Sequence, residues 1–199
     1  MDRVVRRSVG LRHRFELTPR IIRKLHKLAI DGLYPCAGRF RDGDVEIDFA
    51  DHEPPPPEDV PWYVNDMCGY VNDRWGHSSS IHLGAYLMWR MNWIHAFFGG
   101  NGRTSRAVAY LVLSIHIGTP LPGINTIPDQ IMQDRDVYYD ALAIADRQWE
   151  RGRLSVKRME RILEDLLFRQ LADTATVARS NYRGRAKRRT TRRQPRKSS

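Results

Sequence analysis

The sequence predicts an all-α fold carrying one small β-hairpin, and three observations lead there. Apolar residues recur at helical spacing through most of the chain. Helix start and stop signals bracket those stretches. The spacing changes to period two in one place, around residues 38–49. A chain of 199 residues with 41% hydrophobic content can bury one substantial core. One domain is therefore expected, over residues 18–175, between an N-terminal arm (1–17) and a disordered basic tail (176–199).

Taken in order, the first helix opens at Thr18-Pro19, an N-cap followed by proline at the first helical position. Ile21, Ile22, Leu25, Leu28 and Ala29 repeat at helical spacing, and Gly32 stops it. Phe40, Val45, Ile47 and Phe49 then flank Asp42-Gly43-Asp44, a hairpin turn signal. The prolines at 54–57 form an extended spacer. Val60, Val64, Met67, Cys68, Val71 and Trp75 make the apolar stripe of a second helix. A third is expected over Ser80 to Ile94. After a glycine-rich turn, Ala107 through Ile117 is apolar almost all round, the mark of a buried central helix, closed by Gly118 and Pro120. A further helix is expected over about 129–149 and a last one from near Ser155, carrying Val156, Met159, Ile162, Leu163, Leu166 and Leu167. The chain has no internal repeat.

The chemistry concentrates between His95 and Arg106, in His95-Ala96-Phe97-Phe98-Gly99-Gly100-Asn101-Gly102-Arg103-Thr104-Ser105-Arg106. Three glycines around an asparagine allow turn conformations closed to other residues. A turn feeding a helix N-terminus offers free N–H groups and the positive end of the helix dipole, which suits phosphate. Arg103 and Arg106 lie three apart on one face of the first turn, where planar guanidinium forks can grip phosphate oxygens. His95, just before the turn, is placed to act as a base toward a hydroxyl attacking that phosphate. The bland readings are a packed histidine at a helix end, an asparagine that only supplies a left-handed turn, a Phe97 that anchors the loop from below, and arginines paired with neighbouring acids.

This stretch resembles the signature of Fic (Fido) proteins, H-x-F-x-[D/E]-G-N-[G/K]-R-x-x-R, at His95, Phe97, Gly100, Asn101, Gly102, Arg103 and Arg106; Gly99 stands where the signature has an acid. Ala37-Gly38-Arg39-Phe40-Arg41 and His52-Glu53-Pro54-Pro55 resemble the segments that precede the signature. Arg135-Asp136-Val137-Tyr138-Tyr139-Asp140-Ala141-Leu142 resembles the family's R-x-x-Y-Y-x-A-L. The resemblance spans about residues 18–150. It implies a Fic-type helical bundle and transfer of AMP from ATP to a Ser, Thr or Tyr hydroxyl of a target protein. His95 would be the base. Gly99, Gly100, Asn101, Gly102, Arg103 and Arg106 would hold the nucleotide phosphates, and Tyr138 and Tyr139 would line the base pocket. Phe40, Val45, Ile47 and Phe49 would form the flap that docks the target by strand addition. Gly102-Arg103, kept here where one branch has lysine, goes with nucleotidyl rather than phosphoryl transfer.

Gly99 offers no carboxylate to a hard cation. Three outcomes stay open. Mg²⁺ is held only weakly, by nucleotide and water. Alternatively, Asp134 or Asp136 reaches in. In the third case the domain is a degenerate module that binds nucleotide or a partner protein without efficient chemistry. The family's inhibitory pattern [S/T]-x-x-x-E-[G/N] is absent; Ser155 and Glu160 miss the spacing by one. A separate, antitoxin-like inhibitory protein would supply the brake, or there is none.

Residues 179–199 hold ten Lys or Arg and no acid, whereas the first 178 residues balance, with 23 of each sign. The basic character therefore belongs to the tail, which reads either as a solubilising end or as a non-specific contact for polyanions. The start is interrupted by Arg3, Arg6, Arg7, Arg12 and Arg14, which does not suit a signal peptide. The longest apolar run, Ala107 to Leu113, is far short of the roughly 20 residues that span a bilayer. Cys36 and Cys68 have no metal-like spacing and read as free thiols of a cytoplasmic protein. No histidine spacing suggests a zinc site, so no protein metal ligand is assigned.

Overall fold

The computed structural model describes residues 15–33, 35–47 and 52–191. They form seven α-helices: α1 (Pro19–Ile30), α2 (Val60–Asp73), α3 (Ser80–Ile94), α4 (Asn101–Ile117), α5 (Ile127–Gln133), α6 (Arg135–Glu150) and α7 (Lys157–Thr191). A short 3-10 turn, Pro57–Asp59, leads into α2. Antiparallel α3 and α4 make the most extensive pair and form the centre. The remaining helices pack around them, α1 on α4 and α7 on α3. Leu83, Leu87, Met88 and Trp89 of α3 and Val108, Leu111, Val112 and Ile115 of α4 are all buried. The near-continuous apolar run over Ala107–Ile117 of α4 therefore reads as a central helix because it is one. Arg90 of α3 is also buried and lies over the rings of Trp93 (4.3 Å) and Trp149 (4.7 Å), so cation–π attraction ties α3 to α6.

Local signals act where the sequence places them. The Thr18 hydroxyl accepts the Ile21 N–H at 3.4 Å, and the Ser79 hydroxyl accepts the His82 N–H at 3.0 Å to start α3. Gly118 ends α4 at φ 87°.

Four expectations are corrected. The hairpin expected over Phe40–Phe49 is not seen among the described residues, which hold no strand; Phe49 lies outside them. Residues 42–47 still alternate, with Asp42, Asp44 and Glu46 exposed and Gly43, Val45 and Ile47 half-buried. This is an extended segment held by a side chain, Arg41, rather than by a partner strand; an isolated two-stranded hairpin is marginal in water in any case. The helix expected over 129–149 is two helices, broken at Asp134 (φ −137°, ψ 90°). The first of them is started by a Thr126–Asp129 capping box. The N-terminal arm ends earlier than residue 17: Leu17 is buried, its N–H donates to Asn72 Oδ1 (2.8 Å), and the Asn72 amide donates back to the Leu17 carbonyl (2.9 Å). The last helix runs to Thr191, into the stretch expected to be disordered from 176. Arginine, alanine and lysine are good helix formers, and that intrinsic preference favours helix beyond Gln170, the last buried residue among those described. Residues 192–199 and 1–14 lie outside the described residues. No described helix is long and apolar enough to cross a membrane. Cys36 and Cys68 are free thiols; burial, aided by the nearby Glu16 carboxylate, pushes the Cys68 thiol up to about 12.

Candidate functional site

The end of α3 and the start of α4 are joined by a six-residue turn, Ala96 to Asn101 inclusive of the first helical residue. His95 caps α3 in the left-handed region (φ 47°, ψ 54°), its N–H donating to the Met91 carbonyl. Histidine tolerates this region better than most L-residues, at a cost of about 1–2 kcal/mol. The ring Nδ1 lies 3.3 Å from the Asn92 carbonyl. A carbonyl only accepts, so Nδ1 carries the proton and Nε2 keeps a lone pair in the neutral ring. Burial lowers the pKa of His95 below its usual value, with further lowering from the nearby Arg41 guanidinium and His52. The ring is therefore a neutral base at pH 7.

The glycine turn is shaped from inside. Asn101 is buried; its Oδ1 accepts the Phe97 N–H (3.0 Å) and its Nδ2 donates to the Phe97 carbonyl (2.7 Å). Its role here is to close the loop. Gly100 supplies the left-handed step (φ 75°), pressed so close to α1 that a Cβ would come within 2.6 Å of Ile30 Cγ2. Gly99 is not among the glycines with positive φ. The Gly100 carbonyl accepts both the Thr104 N–H (3.0 Å) and the Thr104 hydroxyl (2.8 Å), tying the turn to α4. The N–H groups of Asn101, Gly102 and Arg103, in the first turn of α4, have no carbonyl of the helix to donate to. Arg103 is exposed and Arg106 half-buried on that turn. A Cβ on Gly102 would lie 3.2 Å from Arg106 Nη1, so Arg106 folds back over the helix N-terminus. The turn that follows His95 thus leads into a helix N-terminus carrying two arginines, Arg103 and Arg106.

Tyr138 and Tyr139 lie at different depths. Tyr138 is in the core: it is 2% exposed, with its hydroxyl 2.9 Å from Asn92 Nδ2 and 3.5 Å from Ser105 Oγ. Consecutive helical residues point about 100° apart, which leaves Tyr139 exposed. Three residues missed in the sequence support the site. Asn92 provides the carbonyl for His95, and its amide lies within reach of the Met88 carbonyl (2.6 Å) and Ser105 Oγ (2.9 Å). Arg41 is buried and clamps the flap segment to the end of α3. Its N–H donates to the Ala96 carbonyl (2.9 Å), its Nε to the His95 carbonyl (2.9 Å), Nη1 to the Gly43 carbonyl (3.0 Å), and Nη2 to the Pro55 carbonyl. His26 bridges Gly38 and Gly99. Spacing cannot reveal partners so far apart in the chain, although Arg41 sits in the run that carries the resemblance.

The donor set does not fit a protein-held Mg²⁺. Position 99 has no carboxylate, Asp134 and Asp136 are exposed at the α5–α6 junction, and no cluster of three or more His, Cys, Asp or Glu among the described residues could hold a metal ion.

Residues 16–113 match the Fic/DOC family. Protein adenylyltransferase Fic of Drosophila persimilis is 33% identical over 143 residues, covering 70% of this chain and 26% of that protein. The same-named protein of Drosophila ananassae is 32% identical over 143 residues, covering 70% of this chain and 27% of that protein. The chain thus spans about a quarter of the length of these relatives. Among solved structures, a Fic family protein from Desulfovibrio desulfuricans superimposes with a TM-score of 0.63 at 21% identity, over 87% of this chain and 52% of that one. A Fic domain-containing signaling protein from Bacteroides thetaiotaomicron superimposes with a TM-score of 0.67 at 19% identity, over 85% of this chain and 66% of that one. These two likenesses concern the fold alone.

Proposed function

The chain is a Fic-domain protein, and on that premise we propose that it transfers AMP from ATP to a hydroxyl side chain of a target protein. The observation that carries the reading is the placement of a neutral His95, with Nε2 unprotonated, directly before a cationic turn at a helix N-terminus.

In this reading the β- and γ-phosphates lie against the first-turn amides of α4, Arg103 and Arg106. The target hydroxyl gives its proton to His95 Nε2 as its oxygen attacks the α-phosphorus. The bond from that phosphorus to the α–β bridging oxygen breaks, and pyrophosphate leaves with the electron pair. The product is a phosphodiester between AMP and the target side chain. Donors fixed beforehand around the leaving pyrophosphate stabilise the charge that grows there. The Asn92 carbonyl fixes the tautomer and aim of the base. The Arg41-clamped segment, with Phe40 against Phe97 (5.4 Å between ring centroids) and Val45 and Ile47 half-buried, offers extended backbone along which a target segment can lie. Any Mg²⁺ comes with the nucleotide, ligated by phosphate and water.

A second reading, nucleotide binding without efficient transfer, is favoured by one observation, the glycine at 99. His95→Ala separates the two. Transfer from labelled ATP should fall on the order of 10²-fold or more while ATP affinity stays nearly unchanged. Absence of transfer by the native chain, with ATP still bound, supports the second reading.

A further inference from the structure

We infer that His26 is a positioning residue that sets the shape of the phosphate turn, a role that rests on the nucleotide-binding reading above. His26 lies on α1, 69 positions before His95 in the sequence, and is fully buried. Both ring nitrogens are engaged. Nδ1 accepts the Gly38 N–H at 2.8 Å, and Nε2 lies 2.9 Å from the Gly99 carbonyl. An amide N–H only donates and a carbonyl only accepts, so this arrangement admits one state: neutral, with the proton on Nε2. The ring also stacks on Phe97, 3.6 Å between centroids and 7° from parallel. Phe97 is the residue that Asn101 clasps through both its backbone groups.

The consequence follows from peptide geometry. The Gly99–Gly100 peptide is planar and trans. With its carbonyl drawn toward His26 on α1, its N–H, that of Gly100, must face the opposite way, toward the outer side of the turn where an anion would sit. Without the Nε2 donor the flanking glycines leave this peptide free to rotate. The other ring nitrogen holds Gly38, itself in the left-handed region (φ 81°), with its carbonyl taken by Arg23 Nε at 2.7 Å. His26 thus couples the base of the flap segment, three residues before Arg41, to the phosphate turn.

Two variants separate the hydrogen bonds from the packing. His26→Phe keeps a ring on Phe97 and removes both bonds. His26→Gln gives up the ring but retains a donor at the reach of Nε2, the nitrogen that holds the Gly99 carbonyl. Calorimetry with ATP and adenosine, thermal melting, and backbone amide spectra of the nucleotide-free chain are the readouts. His26→Phe should weaken ATP about tenfold, adenosine less than about twofold, and move the Gly99–Gly102 amide signals; His26→Gln should recover ATP to within about threefold. ATP bound by a folded His26→Phe as tightly as by the native chain, with unmoved turn signals, overturns the inference. So does a folded His26→Gln as impaired as His26→Phe. If the native chain binds no ATP, the nucleotide reading fails by itself, and the turn signals decide the role of His26: displacement in the Phe variant supports it, and native positions overturn it. If His26→Phe does not fold, ring nitrogen spectra of the native chain decide, since a proton on Nδ1 rather than Nε2 contradicts the geometry.

Discussion

Replacing Gly100 with alanine tests how the turn is built, and its cost can be worked out from the structure. An L-residue at φ 75° costs about 1–2 kcal/mol. The added Cβ would sit 2.6 Å from Ile30 Cγ2, inside any normal contact, and both atoms belong to packed elements. Relieving such overpacking costs about 1–3 kcal/mol. The expected loss is therefore about 2–5 kcal/mol. For a chain of this size that corresponds to a Tm lower by roughly 4–20 °C. Gly99→Ala is the internal control, because Gly99 is not among the positive-φ glycines; its loss should stay below about 1 kcal/mol. Urea denaturation of the native chain and both variants gives the numbers, with an unchanged slope confirming that only stability has moved. If Gly100→Ala loses no more than Gly99→Ala, the turn is not held against α1 as described.

Further consequences can be checked in parallel. Arg41→Met removes charge-assisted bonds to the His95, Gly43 and Pro55 carbonyls. Such bonds are worth about 1.5–3 kcal/mol each, so unfolding should cost at least about 2 kcal/mol less. The Arg41 charge also lowers the pKa of His95, so the same variant should lose transfer activity at a higher pH on acidification; an acid limb that stays put or moves down contradicts that coupling. A thiol reagent near neutral pH should modify the half-buried Cys36 and spare Cys68, whose thiol is pushed up to about 12, and equal labelling of both in the native chain would show that α2 opens readily. Gly99→Asp places a carboxylate on the turn without left-handed strain and should make transfer faster at low magnesium; a magnesium series identical to that of the native chain removes Gly99 as the limit.

Several parts of this molecule can be read directly from the chain. Thr18-Pro19, Ser79 and Gly118 mark helix ends because caps are local: the interacting atoms lie within a turn of each other. The apolar run from Ala107 needs no partner to announce a central helix. His95, the glycines and the two arginines stand together in twelve residues, so their chemistry is legible before the fold is known. What the sequence hides is held at long range. Arg41 reaches the end of α3 and Pro55, and His26 reaches Gly99 across 73 positions. Neither has a spacing to betray it. Phe40, Val45 and Ile47 have strand periodicity but find no partner strand among the described residues, so periodicity by itself does not make the hairpin there. Tyr138 and Tyr139 look like a pair in the sequence, and the helix turns one of them into the core. Asn101 suits a phosphate ligand by type, and its clasp on both backbone groups of Phe97 is a further role that its type does not announce.

The most direct test of the central claim uses ATP labelled separately at the α- and γ-phosphates, with Mg²⁺, the native chain and a cell extract as the source of target protein. Transfer of AMP predicts protein-bound label from α-labelled ATP alone, pyrophosphate release in equal amount, and loss of both with His95→Ala. Protein-bound label from γ-labelled ATP, or α-label that persists undiminished in His95→Ala, contradicts the account.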